Sequence, residues 1–377
     1  MRILQITSTF FPVAGGQERV VYEISKRLVK KGHQVDILTT DLLCNNKVKR
    51  KEKQEGINII RLKNNLYLGG YGFSKEAFKW LKDNWKKYDL VHSHGYNRFL
   101  SELSLWALKE KLPLIFTPHG FIHTRKNYLF KFIHDLTVGR VIGNADKLTA
   151  LTKLDFIDYK RLGVEEEKIA EIPNGVDIKK FGKIDEGNVS IFRKKYQLSK
   201  TILFVGRIHE SKGLRYLVEA VKDIDCKLMI VGEDAGYKKK LENRIRNLGI
   251  KNKIIFTGHL EEKEKITSYH ACDVFVLFSE WEGFGITVIE AMASRKPVIV
   301  SDRGSLPFLV ENRQEGFIVP FKNINGLKEK INFLLKKKKA AKQMGLNGLK
   351  KAKGYNWEKI VEMYLKVYKE IIGAKNE

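Results

Sequence analysis

Short apolar runs of three to five residues recur along the chain, separated by longer stretches with helical apolar spacing. This alternation most constrains what the chain can fold into. One set of runs lies at residues 3–7, 35–39, 57–61, 90–93, 114–117 and 147–150, and a second at 202–205, 228–231, 254–256, 274–278, 297–300 and 316–319. Runs this short, apolar on both faces, are buried strands of parallel sheet, and amphipathic stretches such as 17–31 and 75–87 are the helices that cover them. The expected fold class is therefore α/β, with each set of strands forming one doubly wound unit. A polar stretch near 181–200, containing Gly182, Gly187 and Asn188, marks the join. The domains are expected at 1–182 and 183–356. Residues 357–377 read as a helix with one apolar face (Ile360, Val361, Tyr364, Val367, Tyr368, Ile371) that returns to the first domain.

A length of 377 residues, 43 % of them hydrophobic, suits two such cores. No apolar run approaches the ~20 residues of a membrane span. Residues 1–16, broken by Pro12, Gly15 and Gly16, read as a first strand and loop and not as a signal peptide. Cys44, Cys226 and Cys272 have neither disulfide nor metal spacing. A cytoplasmic protein is expected, peripheral on the inner membrane face if its basic surface meets lipid. That surface is large: 70 Lys and Arg against 44 acids give a formal net charge of +26. The excess is spread along the chain. It suits phosphorylated substrates or an acidic membrane, or is simply solvated lysine, and no nucleic-acid reader motif accompanies it.

The strongest local signal is Glu282-Gly-Phe-Gly-Ile-Thr-Val-Ile-Glu290, which follows a buried strand and opens a helix. Gly283 and Gly285 leave the backbone uncovered, so free N–H groups near Phe284 and Gly285, with the helix dipole, make a phosphate site. Glu282 stands in the loop where it can accept bonds from sugar hydroxyls, and Glu290 lies inside the helix, placed for a ribose diol. A second signal is Gly206-Arg207-Ile-His-Glu-Ser-Lys212-Gly213, again after a strand. Its two cations can neutralise a diphosphate. Gly15-Gly16 ends the first strand and precedes a helix, which permits close backbone approach to a ligand and is equally simple turn chemistry.

In this order, Gly15-Gly16, Thr117-Pro-His119-Gly120, Ile172-Pro-Asn-Gly-Val-Asp177, Gly206-Arg207…Lys212-Gly213 and the Glu282/Glu290 pair resemble glycosyltransferase family 4 over nearly the whole chain. The resemblance implies a GT-B fold, two Rossmann-like domains facing a central cleft, with the N-terminal domain for acceptor and the C-terminal one for nucleotide-sugar. It implies a retaining, metal-independent hexosyltransferase that takes a UDP or GDP sugar to a lipid-linked or glycan acceptor in polysaccharide or glycolipid synthesis. Arg207 and Lys212 would hold the diphosphate, with amides near Phe284 and Gly285. Glu282 would meet the sugar, Glu290 the ribose, and His119 the reacting sugar from the first domain. No cofactor, metal or nucleic-acid partner is expected. One departure stands out: relatives run Gly-Asp-Gly-Pro where this chain has Gly232-Glu-Asp-Ala-Gly236.

Other readings stay open. A GT-B-type epimerase or phosphorylase, or a non-catalytic sugar-nucleotide-binding protein, would share these features. His92 and His94 share one strand face and evoke zinc, but no further ligand completes a set. Asp223-Ile-Asp225 reads as turn carboxylates. Lys75, Lys79, Lys82 and Lys86 flank an apolar stripe of Phe78, Leu81, Trp85 and Tyr88, expected to cover the first sheet. With the basic aromatic segment 121–133, that stripe is the candidate anionic-membrane surface.

Overall fold

The computed structural model describes residues 1–13, 15–44, 48–68, 71–121 and 138–376. The chain divides into two compact units: Met1–Gly175 together with Trp357–Glu377, and Val176–Asn356. The division falls after Gly175 and not after Gly182, because Val176 is already hydrogen-bonded to the second unit. Its N–H donates to the Tyr355 carbonyl at 2.7 Å, and it forms a bridge with Asn356. Gly175 itself lies against Trp357: a Cβ there would sit 2.3 Å from a ring atom, so no larger residue fits.

In the N-terminal unit the strands are β1 (Arg2–Thr7), β2 (Gln34–Thr40), β3 (Lys51–Gln54), β4 (Ile57–Leu62), β5 (Leu66–Leu68), β6 (Tyr71–Phe73), β7 (Leu90–His94), β8 (Leu114–Thr117), β9 (Lys147–Ala150) and β10 (Ile169–Glu171). Eight of them form one sheet in the order β10-β9-β8-β7-β1-β2-β4-β3, and β5 pairs with β6 as a separate hairpin. All six expected strands are present. The additions, β3, β10 and the hairpin, are short or polar, and Lys-Glu-Lys-Gln at β3 carries no apolar signal because it is an exposed antiparallel edge. The helix Gly16–Lys30 covers β1 with Val20, Val21, Ile24 and Leu28. Phe78 departs from expectation: Leu81 and Tyr88 are buried, whereas Phe78 remains exposed on the helix Ala77–Asn84, its ring 5.9 Å from Trp106.

The closing helix Trp357–Asn376 buries Ile360, Val361, Tyr364, Val367, Tyr368 and Ile371 in this unit. Ion pairs tie its outer face down, Arg27–Glu358 at 3.4 Å, Lys147–Glu370 at 2.8 Å and Lys31 with Glu362.

The C-terminal unit is a single parallel sheet of β11 (Thr201–Val205), β12 (Lys227–Val231), β13 (Ile254–Gly258), β14 (Val274–Leu277), β15 (Val298–Ser301) and β16 (Gly316–Val319). Its order is β13-β12-β11-β14-β15-β16. The chain winds one way from β11 to β13, then starts again at β14 beside β11 and winds the other. The loops after β11 and β14 therefore part at this switch point and leave a crevice at the carboxyl ends of the strands, where open α/β sheets take ligands. In the N-terminal unit β1 plays the same part, with β2 on one side and β7 on the other.

Candidate active site

At the switch point of the C-terminal sheet, β11 pairs with β14 through Ile202↔Val274 and Leu203↔Phe275. The loops that follow are thereby held side by side, and the Glu280 N–H donates to the Ser211 carbonyl at 2.7 Å. Gly213 makes the approach possible. Its φ is +66°, and a Cβ there would lie 2.0 Å from the Phe278 carbonyl oxygen. The result brings together two residues assigned to different parts of a ligand: Lys212 Nζ lies 2.6 Å from Glu282 Oε2. Ser279 Oγ donates to the same carboxylate oxygen at 3.3 Å. The backbone of Glu282 is fixed as well, its carbonyl accepting from Ser305 N–H and Ser305 Oγ, each at 3.0 Å. Gly304 is needed there, since a Cβ would meet the Glu282 carbonyl oxygen at 2.5 Å.

Gly285, at φ +93°, caps the helix Ile286–Ala293. The N–H groups of Phe284, Gly285, Ile286 and Thr287 have no acceptor among the described residues, so the donors expected for phosphate are free. The Phe284 side chain is buried and turns to Tyr355. Arg207 is exposed, and its guanidinium makes no hydrogen bond or ion pair among the described residues. Its loop crosses that of β12, where Gly232 lets the Gly206 carbonyl pass within 2.0 Å of where a Cβ would stand. The departure from the familiar Gly-Asp-Gly-Pro has a structural answer: Asp234 accepts from the N–H groups of Gly236, Tyr237 and Lys238 and starts the helix Lys238–Asn247.

Glu290 differs from expectation. It is 2 % exposed, with Lys265 Nζ on Oε1 at 2.8 Å and Tyr269 Oη on Oε2 at 2.7 Å. Both oxygens are already engaged, leaving only their remaining lone pairs for a further donor. Lys265 and Tyr269 lie on the helix Glu262–Ala271, and no motif marks them in the sequence.

In the N-terminal unit the strand-end histidines meet. His94 Nδ1 is 2.9 Å from His119 Nε2, His94 Nε2 is 2.6 Å from Gln5 Oε1, and His92 bonds to Tyr368 and Thr117, each at 2.8 Å. All four ring nitrogens of His92 and His94 thus have protein groups within hydrogen-bond distance. Among the described residues no group of three or more His, Cys, Asp and Glu could hold a metal. Burial, with like-charge repulsion among the rings, pushes the pKa of His92 and His94 well below the usual histidine value. His119 keeps some exposed surface, yet enough protein surrounds it to hold its pKa at about 3. It adopts φ +55°, unusual for a residue with a side chain.

Gly15 caps the helix Gly16–Lys30. The space a side chain would fill holds the Glu18 carboxylate, 2.4 Å from the position of a Cβ, and Thr9 Oγ1 donates to Glu18 at 2.5 Å. Gly16 is the first residue of that helix. The carboxylates of Asp223 and Asp225 point to Lys328 and Lys200, as turn residues do. Most of segment 121–133 lies outside the described residues.

Two family profiles match the chain, Glycosyltransferase Family 4 over residues 14–180 and Glycosyl transferases group 1 over residues 189–351. An uncharacterized glycosyltransferase of Methanocaldococcus jannaschii is 30 % identical over 98 % of this chain and 99 % of its own. The alpha-monoglucosyldiacylglycerol synthase of Streptococcus pneumoniae is 29 % identical over 84 % of this chain and 74 % of its own. Among solved structures, Anabaena HepE in complex with UDP-glucose superposes with a TM-score of 0.81 at 20 % identity, covering 98 % of this chain and 100 % of that one. With both units matched in order and a full-length homologue at this identity, the chain belongs to glycosyltransferase family 4 and has the GT-B fold.

Proposed function

We propose that this glycosyltransferase moves a hexose from a UDP or GDP sugar to a lipid-linked or glycan acceptor, with retention at the anomeric carbon and without a metal. The observation that carries the reading is the gathering at one switch point of free helix amides, an unpaired Arg207 and the Lys212–Glu282 pair. Donors and cations in this arrangement suit a nucleoside diphosphate. HepE, which shares the fold, was crystallised with UDP-glucose, and the pneumococcal relative is named for glycolipid synthesis.

In this reading Arg207, Lys212 and the amides of Phe284 and Gly285 take the negative charge that grows on the diphosphate as its bond to C1 breaks. The acceptor oxygen bonds to C1 on the same face, and a phosphate oxygen receives the acceptor proton. No side chain serves as nucleophile. Glu282 orients the sugar hydroxyls, Glu290 takes the ribose diol with lone pairs not used by Lys265 and Tyr269, and His119 meets the transferred sugar. Gly15 and Gly16 give the ligand access to the first helix of the N-terminal unit, whose role is to bind the acceptor.

No helix of the described chain is long and apolar enough to cross a membrane. A cytoplasmic enzyme on an anionic inner membrane face accords with that and with the net charge of +26.

The test is a thermal-shift screen of UDP, GDP and ADP sugars, followed by transfer assays and assignment of the product anomer by NMR. Stabilisation by a matching donor reaches about 2.7 kcal/mol at a hundredfold excess over Kd. An inverted product, or no shift with any donor, defeats the reading. Isomerisation of the donor, or phosphate-dependent cleavage of a glycan, without an acceptor identifies an epimerase or a phosphorylase.

A further inference from the structure

Beneath His119 the N-terminal unit buries a chain of polar side chains whose members are fully enclosed: Gln5, His92, His94, Thr117, Thr149 and Tyr368 are all 0 % exposed. None can turn to water for a partner, so each must donate and accept within the chain. One group able to play only one part, a backbone carbonyl, then sets the direction of the bonds, and the buried Tyr364 hydroxyl beside Thr117 and Thr149, acting as a donor, leaves that direction unchanged. At one end Thr149 Oγ1 reaches the Phe116 carbonyl oxygen at 3.5 Å, which can only accept. Thr149 thus donates there and accepts from Thr117 at 2.5 Å. Thr117 accepts from His92 Nε2–H, which leaves His92 Nδ1 to accept from Tyr368 Oη–H. Tyr368, on the closing helix, accepts in turn from the Gln5 amide nitrogen at 3.4 Å.

This turns the Gln5 carbonyl oxygen toward His94 Nε2 at 2.6 Å, and a carbonyl oxygen forces that nitrogen to carry its proton. Neutral His94 is left with a lone pair on Nδ1, which accepts from His119 Nε2–H at 2.9 Å.

We propose that Gln5, acting through His94, is a positioning residue that holds His119 as the Nε2–H tautomer and so presents its Nδ1 lone pair as a hydrogen-bond acceptor for a substrate hydroxyl. His119 Nδ1 has no partner among the described residues, and the ring keeps part of its surface exposed. Its left-handed backbone, at φ +55°, helps fix the ring's direction. A carbonyl oxygen three residues inside the first strand thereby determines whether the ring offers the substrate a proton or a lone pair. The inference rests on the reading above that His119 meets the sugar.

The experiment uses the full chain labelled with 15N at histidine, with His119 assigned by loss of its signals in His119→Asn. Long-range 15N–1H correlation at pH 7.5 should show His119 with Nε2 protonated and Nδ1 bare. A protonated Nδ1, or an exchange average of both tautomers, overturns the proposal, and this measurement needs no variant in the relay. In Gln5→Met, near in volume but without the carbonyl, the His119 signals should move to a tautomer mixture, while kcat falls on the order of ten- to a hundredfold and donor KM changes less. An unchanged tautomer in Gln5→Met also overturns it. A shifted tautomer with unchanged kcat defeats the placement of His119 on the sugar, and the positioning role with it.

Discussion

Lys212 Nζ and Glu282 Oε2 lie 2.6 Å apart, and this contact links the loops after β11 and β14. Without a ligand each is the other's counter-ion, and both side chains are more than four-fifths buried. A diphosphate arriving at Lys212 must compete with Glu282 for the same ammonium. Glu282→Gln should therefore bind the free nucleoside diphosphate several-fold more tightly while lowering kcat, because the sugar loses its oriented acceptor. Calorimetry with UDP and GDP checks the first half and steady-state kinetics the second. Weaker diphosphate binding in the variant would show that Glu282 supports the phosphate site and does not compete with it.

Glu290 behaves differently because its partners, Lys265 and Tyr269, are not assigned to the ligand and do not have to leave it. Glu290→Gln should raise donor KM more than it lowers kcat, since the ribose does not change during reaction. It should also cost on the order of 1–3 kcal/mol of stability, because Lys265, 14 % exposed, loses its carboxylate. Unfolding in urea beside kinetics separates the two effects. A variant as stable as the parent contradicts the buried pair.

Leaving-group stabilisation is assigned to Arg207 and Lys212. Transfer should survive EDTA, and Arg207→Ala should lower kcat about 10²–10³-fold, the scale of one preorganised charge-stabilising group. Activity abolished by EDTA and restored by Mn²⁺ or Mg²⁺ refutes the assignment.

Gly213 and Gly249 give a matched pair, with φ +66° and +69°. Alanine at either pays the left-handed backbone cost of about 1–2 kcal/mol. Only at Gly213 does the new Cβ strike the Phe278 carbonyl, whereas nothing lies within 4 Å at Gly249. Gly213→Ala should lose activity on the order of tenfold or more, and Gly249→Ala should lose stability alone. Equal activity in the two variants would remove the role given to this close approach.

Stability should fall with acid well before ordinary carboxylates titrate. His92, His94 and His119 have folded pKa values depressed below the unfolded value of about 6.5, so below that pH the unfolded chain binds more protons than the folded one. Each group then removes stability at on the order of 1 kcal/mol per pH unit as pH falls from about 6.5. Asp155 works against them: burial raises its folded pKa to about 7, so its contribution is lost as pH rises through that value. His33 and His270 are depressed as well, both first by burial, so five histidines outweigh one aspartate, and urea midpoints of the full chain should be lower at pH 5.5 than at 7.5. Equal midpoints would mean that these buried histidines take up protons in the folded state.

The sequence by itself determined the architecture. Apolar strands and amphipathic helices alternate, and the core strands are short and mostly apolar because both of their faces are covered, with polar exceptions such as Gln5 in β1 and His92 and His94 in β7. The glycine-flanked loops after β11 and β14 were legible for a similar reason: Gly206, Gly213 and Gly285 answer local backbone demands that leave a mark in the chain. What tertiary structure alone decided is which charges face which. Lys212 could be read as a phosphate ligand and Glu282 as a sugar ligand, but their contact depends on strand pairing across seventy residues. Lys265 and Tyr269 beneath Glu290, and Gln5 and Tyr368 behind the histidines, carry no motif, because any residue of the right shape and hydrogen-bonding capacity at that point in space would serve. Periodicity records how a segment meets its own backbone and the layer it covers. The partners of a buried polar group are fixed by packing between segments distant in sequence, and no local pattern encodes them.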